Sequence, residues 1–240
     1  MKSFKNFFKI KEYKNNLLET TIFNEKIKEI KSKINKGKNT TITLKDINYQ
    51  NSSGNTFLHY CIKRNKYDIV SELLKRTDIN VNLQNNDGDT ALIIAIKNDE
   101  SKIVSELLKR TDINVNLQNN NGDSPLYLAI FHNYQKIAKE ILKTTDINVN
   151  LQNNYGYTAL MIAFTRNSKN IVEQLLDINN INVNLQDKNG NTALMIPFSN
   201  ITYKKYYTNG NNTYGNNIKY ISHKLLDRDD INVNLQDKNG

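Results

Sequence analysis

The chain has 240 residues, 38% of them hydrophobic, with no Trp, a formal net charge of +9 and a mean hydropathy of -0.64. No apolar run approaches the roughly 18 residues that a membrane-spanning helix needs. A single cysteine, Cys61, excludes a disulfide framework within the chain and fits a reducing compartment.

Residues 1–45 hold twelve lysines against four glutamates, so this segment carries +8 of the chain's +9 and the remainder is close to neutral. Its first sixteen residues lack the continuous apolar core of a cleaved secretory signal. Ile22, Ile27, Ile30 and Ile34 mark one helical stripe, which predicts a helix over 22–35 that packs on the element after it. Phe4, Phe7 and Phe8 beside Lys5, Lys9 and Lys11 also fit an amphipathic helix that seeks an anionic surface. A charge run is most often a solvated face, so packing is the favoured expectation. Lysine without arginine or a recognisable module is a poor nucleic-acid signal.

From residue 46 a fixed period takes over. Gly54, Gly88, Gly122, Gly156 and Gly190 are 34 residues apart, and Gly240 follows after 50, so one unit carries 16 additional residues. The unit is read most easily at Asp78–Thr111. Thr90 precedes an apolar run and is placed to cap a helix through its hydroxyl. Leu92, Ala95 and Ile96 share one face of that helix, Asp99 breaks it, and Ile103, Val104, Leu107 and Leu108 form the stripe of a second helix. An extended Ile-Asn-Val-Asn-Leu-Gln segment then leads to Asn-Gly, which supports the positive backbone angles of a tight hairpin. A short unit of this kind buries its apolar face only by stacking on its neighbours, so the fold class is an all-α solenoid. Units are expected at 46–79, 80–113, 114–147, 148–181 and 182–230, making 46–230 five repeats, with 231–240 opening a truncated sixth. Residues 1–45 are then an N-terminal helical cap with a polar outer face.

The motifs are those of a known family. GNTFLHYC from Gly54, GDTALIIA from Gly88, GDSPLYLA from Gly122, GYTALMIA from Gly156 and GNTALMIP from Gly190 resemble the ankyrin repeat signature G-x-T-P-L-H-x-A. The Asn-, Ile- and Lys-rich composition with DINVN segments is similar in style to ankyrin proteins of large DNA viruses of amoebae. Three departures stand out. The period is 34 rather than 33. The motif His survives only as His59, with Ile93, Tyr127, Met161 and Met195 in its row, so apolar packing is expected to replace polar bonding between units. The glycine between the helices is replaced by Asn65, Asp99, Asn133 and Asn167, residue types that tolerate a left-handed backbone. Asn82, Asn116, Asn150 and Asn184 are expected to bond the hairpin backbone, and Leu92, Leu126, Leu160 and Leu194 to be fully buried.

The fifth unit is different. Pro197 stands in the row of Ala95 and removes a helical hydrogen bond. A polar insertion at about 200–217, with Tyr203, Tyr206, Tyr207 and Tyr214, reads as a disordered loop, the helical pattern resuming at Ile221, Leu225 and Leu226.

No catalytic constellation emerges. His59, His132 and His223 are far apart and lack Cys or carboxylate partners at ligand spacing, and no P-loop, nucleophile elbow or dinucleotide fingerprint occurs. No metal, cofactor or small-molecule substrate is expected. The resemblance implies a protein-interaction scaffold acting inside the cell, the alternative being a basic tail that binds anionic membrane or nucleic acid with the repeats as spacer. It also implies that a protein partner meets the hairpin tips and the ends of the first helices. Those rows hold Asp87, Asp89, Asn121, Asp123, Tyr155, Tyr157, Asn189 and Asn191, and Lys63, Arg64, Lys97, Asn98, Phe131, His132, Thr165 and Arg166. They vary between units while packing rows stay fixed, so they are expected to face outward. Within them Lys97, Phe131, His132, Tyr155, Tyr157 and Arg166 form the expected partner-binding set, because aromatics and arginine dominate binding hot spots.

Overall fold

The computed structural model describes residues 47–196 and 213–238, together with residues 21, 22, 25 and 28. Four helix pairs follow in chain order: α1 (Phe57–Lys63) and α2 (Tyr67–Leu74), α3 (Ala91–Lys97) and α4 (Ser101–Leu108), α5 (Pro125–Phe131) and α6 (Gln135–Leu142), α7 (Ala159–Thr165) and α8 (Lys169–Leu176). A longer helix, α9 (Thr213–Leu226), closes the series. First helices stack on first helices and second on second, α9 continuing the second layer against α8.

Local chemistry sets each boundary. Thr56, Thr90, Ser124 and Thr158 cap the first helices by accepting the backbone N–H of the third helical residue. Nine residues after each cap the chain turns at Asn65, Asp99, Asn133 and Asn167, with φ of 49, 56, 61 and 52°. These are the left-handed turns that Asn and Asp were expected to permit. Leu92, Leu126 and Leu160 are buried as expected; Val81, Val115, Val149 and Val183, a second row at the same period, are buried too. Cys61 is fully buried, and burial pushes its thiol up to about 12, so it stays protonated and packs as a small apolar group.

Several expectations are corrected. No paired strand occurs among the described residues. The segment between units is a run of turns closed by bonds such as Asn85 N–H to the Asp89 carbonyl (3.0 Å). The helix periodicity of the second unit does not carry into the fifth: Ala193–Met195 form a turn, and Leu194 is half-buried rather than enclosed. Pro197 has no N–H to offer the Ala193 carbonyl, which a helix there would need. The insertion's end is helical, since α9 starts at Thr213 rather than near Ile221. Asn217, in the row of the left-handed residues, adopts no positive φ, so nothing interrupts the helix there. In the N-terminal segment, Thr21, Ile22, Glu25 and Lys28 are helical, and Ile22 is 43% exposed. The rest of the expected cap, Pro197 and residues 200–212 of the insertion lie outside the described residues.

Polar bonding between units is not lost with the histidine row. Gln50, Gln84, Gln118, Gln152 and Gln186 each donate from Nε2 to the carbonyl of their own loop glycine and to the carbonyl of the Gln in the next unit. Buried Asn85, Asn119 and Asn153 accept two backbone N–H groups of their own turn and donate to a side chain of the preceding unit. Buried polar groups are tolerated when their bonding capacity is filled in this way. The units are thus joined by an apolar core on one side and amide ladders on the other.

Candidate functional site

The ends of the first helices in the second to fourth units lie on one side of the stack. α5 ends in Phe131, and the ring contacts spread from it. Tyr127, one turn earlier, stacks on Phe131 with centroids 6.0 Å apart. His132 meets Phe131 edge-on at 5.2 Å and stacks on Tyr134 at 5.5 Å. From the next unit, the Arg166 guanidinium lies over the Phe131 ring at 4.5 Å, a cation–π contact across the unit boundary. Phe131 therefore has a packing role that its position in the pattern did not suggest, yet it remains 38% exposed.

Burial acts on the ionisable groups beside Phe131. Burial holds the His132 imidazole below its usual range, and the Arg166 and Lys97 charges add to that, so it is neutral at pH 7. Burial pushes the Tyr127 phenol up to about 12, with the Asp123 charge acting the same way. Asp123 is itself raised, chiefly by burial.

The six expected partner-binding residues divide. Phe131, His132 and Arg166 form one connected cluster. Lys97 is exposed, but its ammonium is held by both oxygens of Asp89 at 2.7 Å. Tyr157 is half-buried and packs against the core. Tyr155 stands at a loop tip, 68% exposed, and among the described residues no ring contact joins it to the Phe131 cluster. Two further residues of the outward-facing rows are corrected: Asp89 and Asn191 are buried. They lie where the loop returns to the helix cap, and Asp89 is fixed there by Lys97 and by Asn119. Tyr127 and Tyr134 were missed. The spacing of four between Tyr127 and Phe131 on one helix was the available signal for the first; Tyr134, just past a left-handed turn, carried none.

Comparison with known proteins agrees with this architecture. A family profile described as ankyrin repeats (3 copies) matches residues 78–153 and 140–206, and one described as ankyrin repeats (many copies) matches residues 44–95. The chain belongs to the ankyrin repeat family. Among solved structures it is similar to the ankyrin repeat protein EF0377, at 26% identity and a TM-score of 0.64, with 76% of this chain and 85% of that chain covered. It is also similar to an ankyrin repeat domain (ABAYE2397) from Acinetobacter baumannii AYE, at 26% identity and a TM-score of 0.60, with 76% and 85% covered. The ankyrin repeat domain of Bcl-3, a member of the IkappaB family, shares the fold at 23% identity and a TM-score of 0.55, with 65% and 68% covered. Comparison with curated proteins gives no match. At the level of the family, an ankyrin repeat domain is a protein-interaction scaffold.

Proposed function

We propose that the chain is a non-enzymatic scaffold that binds a protein partner through the Phe131, His132 and Arg166 cluster, with Tyr155 as a second anchor at the loop tip. The observation that carries this reading is the Phe131 ring, held between Tyr127 and Arg166 while more than a third of its surface stays in water. A pre-ordered aromatic beside an arginine loses little conformational freedom on binding, which is what makes such groups hot spots. Lys97 and Tyr157 lie at the margin, each already engaged within the fold. The Asn- and Ile-rich DINVN segments support kinship with ankyrin proteins of amoebal viruses, and with it an intracellular setting.

The test is affinity capture with the full chain, with residues 46–240 and with a Phe131→Ala/Arg166→Ala double variant. Capture retained by 46–240 and lost in the double variant is expected. The alternative, a basic tail on an anionic surface, is supported instead by salt-sensitive binding to phosphatidylserine vesicles or to duplex DNA that disappears on deleting residues 1–45.

A further inference from the structure

We infer that the boundary between the second and third units, on the side of the second helices, is a receptor for an arginine side chain of a protein partner. The chain supplies its own template. Arg110 grips Asp112 with a fork, Nε to Oδ1 at 2.8 Å and Nη2 to Oδ2 at 2.7 Å. Its remaining Nη1 donates back across the unit boundary to the carbonyls of Leu74 (2.7 Å) and Arg76 (2.6 Å), at the end of α2. Arg228 repeats this geometry with Asp230 and the Leu176 carbonyl at the end of α8. A guanidinium is thus the group that closes the C-terminal end of a second helix in this fold, where terminal carbonyls and the helix dipole favour a cation.

At the boundary between α4 and α6 the acceptors remain and the guanidinium does not. Thr144 stands in the row of Arg110, and its hydroxyl turns back to the Ile141 carbonyl at 2.7 Å. Asp146, in the row of Asp112, is kept, and among the described residues no cation reaches its carboxylate. Leu108 and Arg110 take the places of Leu74 and Arg76. These four residues line one cavity of about 490 Å³, within the size range of small-ligand pockets. Of the charges lining it, Lys109 is paired with Glu106 (2.6 Å) and Arg110 with Asp112 (2.7 Å), and Glu140 accepts the Ser105 hydroxyl (2.6 Å), which leaves Asp146 and the second Glu140 oxygen against Lys143. The following boundary serves as a control. There both rows change, to Ile178 and Asn180, and Ile178 packs against the core. Keeping the carboxylate while shortening its arginine to threonine distinguishes the third unit from all the others. The site takes a planar cation with several donors, which lysine does not supply.

This inference rests on the scaffold reading but uses a different face, so it is tested with a different ligand. The full chain, labelled with ¹⁵N, is titrated with the peptide acetyl-Gly-Arg-Gly-amide and with its citrulline counterpart, an isostere without the charge. Saturable shifts of the Asp146, Leu108 and Arg110 amides are expected with the arginine peptide, and binding at least about tenfold weaker with citrulline, as loss of a charge-assisted fork implies. Thr144→Arg supplies the guanidinium from within and is expected to raise the melting temperature and abolish the shifts. Asp146→Asn is expected to abolish them at unchanged fold. The Phe131→Ala/Arg166→Ala variant is expected to bind the peptide normally. Equal response to both peptides, no saturable shift, or binding that survives Thr144→Arg overturns the inference. If the peptide fails to bind while partner capture still depends on Phe131, the scaffold reading stands and this site falls.

Discussion

Asn82 bridges the junction between two units: its Nδ2 donates to the carbonyl of Asp112, near the end of its own unit, at 2.7 Å while its Oδ1 accepts the amide of Asn114, at the start of the next, at 2.8 Å. One carboxamide thereby fills a backbone acceptor at the end of its own unit and a backbone donor at the start of the next. Asn116, Asn150 and Asn184 do the same, so these asparagines hold the units to one another rather than shaping their own loops. Asn116→Ala removes both bonds at one boundary and is expected to cost about 2 kcal/mol, from roughly 1 kcal/mol per net hydrogen bond. Asn116→Asp keeps the acceptor and loses the donor, and should fall between the two. Urea midpoints at neutral pH decide it; equal midpoints for Asn116→Ala and the parent would show that water replaces the bridge at no loss.

The loop glycines answer to the neighbouring unit as well as to their own turn. Gly122 has φ of +74°, and a Cβ there would sit 2.7 Å from the Asn154 backbone nitrogen. Asn is a residue that a left-handed turn alone tolerates, but it brings the same Cβ. Gly122→Asn and Gly122→Ala are therefore both expected to lose about 2 kcal/mol or more, the cost of strain that neighbouring backbone cannot relieve. A stable Gly122→Asn variant would mean that the loop's own turn is the whole constraint.

Much of this was legible in the sequence, for a physical reason. A solenoid repeats its packing environment, so a buried row such as Leu92, Leu126 and Leu160 is written once per unit and shows as a period. The same logic exposed the four left-handed Asn and Asp residues, because their row departs from the family's glycine in every unit. Bonds between units were harder to read. Gln84 to Gln118 is a contact between identical rows, and nothing in a repeated residue says whether its partner is in its own loop or the next. Outward-facing rows misled for a related reason. Asp89 varies between units as a surface residue would, yet it is buried, because a polar slot beside a helix cap accepts Asp, Asn or Tyr so long as some bond is made. The Phe131–Arg166 contact joins two variable rows of adjacent units, a pairing that periodicity does not reveal.

Core positions separate the intact units from the fifth. Leu126 is enclosed between α5 and its neighbours, and Leu126→Ala is expected to cost about 2–5 kcal/mol through lost contacts and a cavity. Leu194, its counterpart in the fifth unit, is half-buried in a turn, and Leu194→Ala should cost clearly less than Leu126→Ala. Thermal or urea melts of the two variants, compared with the parent, give the ranking. A reversed order would move the well-packed core toward the C-terminal units.

His59 makes the first unit sensitive to acid. Its Nδ1 accepts the backbone N–H of Thr56 at 2.9 Å, which completes the capping box of α1 and is possible only while that nitrogen is unprotonated. Burial lowers the imidazole to about 4, and the Lys63 charge works in the same direction. Between the ordinary value of 6.5 and about 4, the unfolded chain binds a proton that the folded chain refuses. Stability therefore rises with pH through this window: it is complete above 6.5, falls on acidification and levels off near 4. The slope is at most about 1.4 kcal/mol per pH unit, for a loss on the order of 3 kcal/mol across the window. Asp78, Asp112 and Asp230 share the sign, because their arginine partners hold them below the usual carboxylate range, but their contribution is lost at lower pH. His59→Met separates the two effects, since Met161 fills the same row in the fourth unit and is buried there. Urea midpoints of the parent should drop between about pH 7 and 4.5, and those of His59→Met should change much less. Parallel curves for the two proteins would show that the histidine is protonated in the folded chain as readily as in the unfolded one.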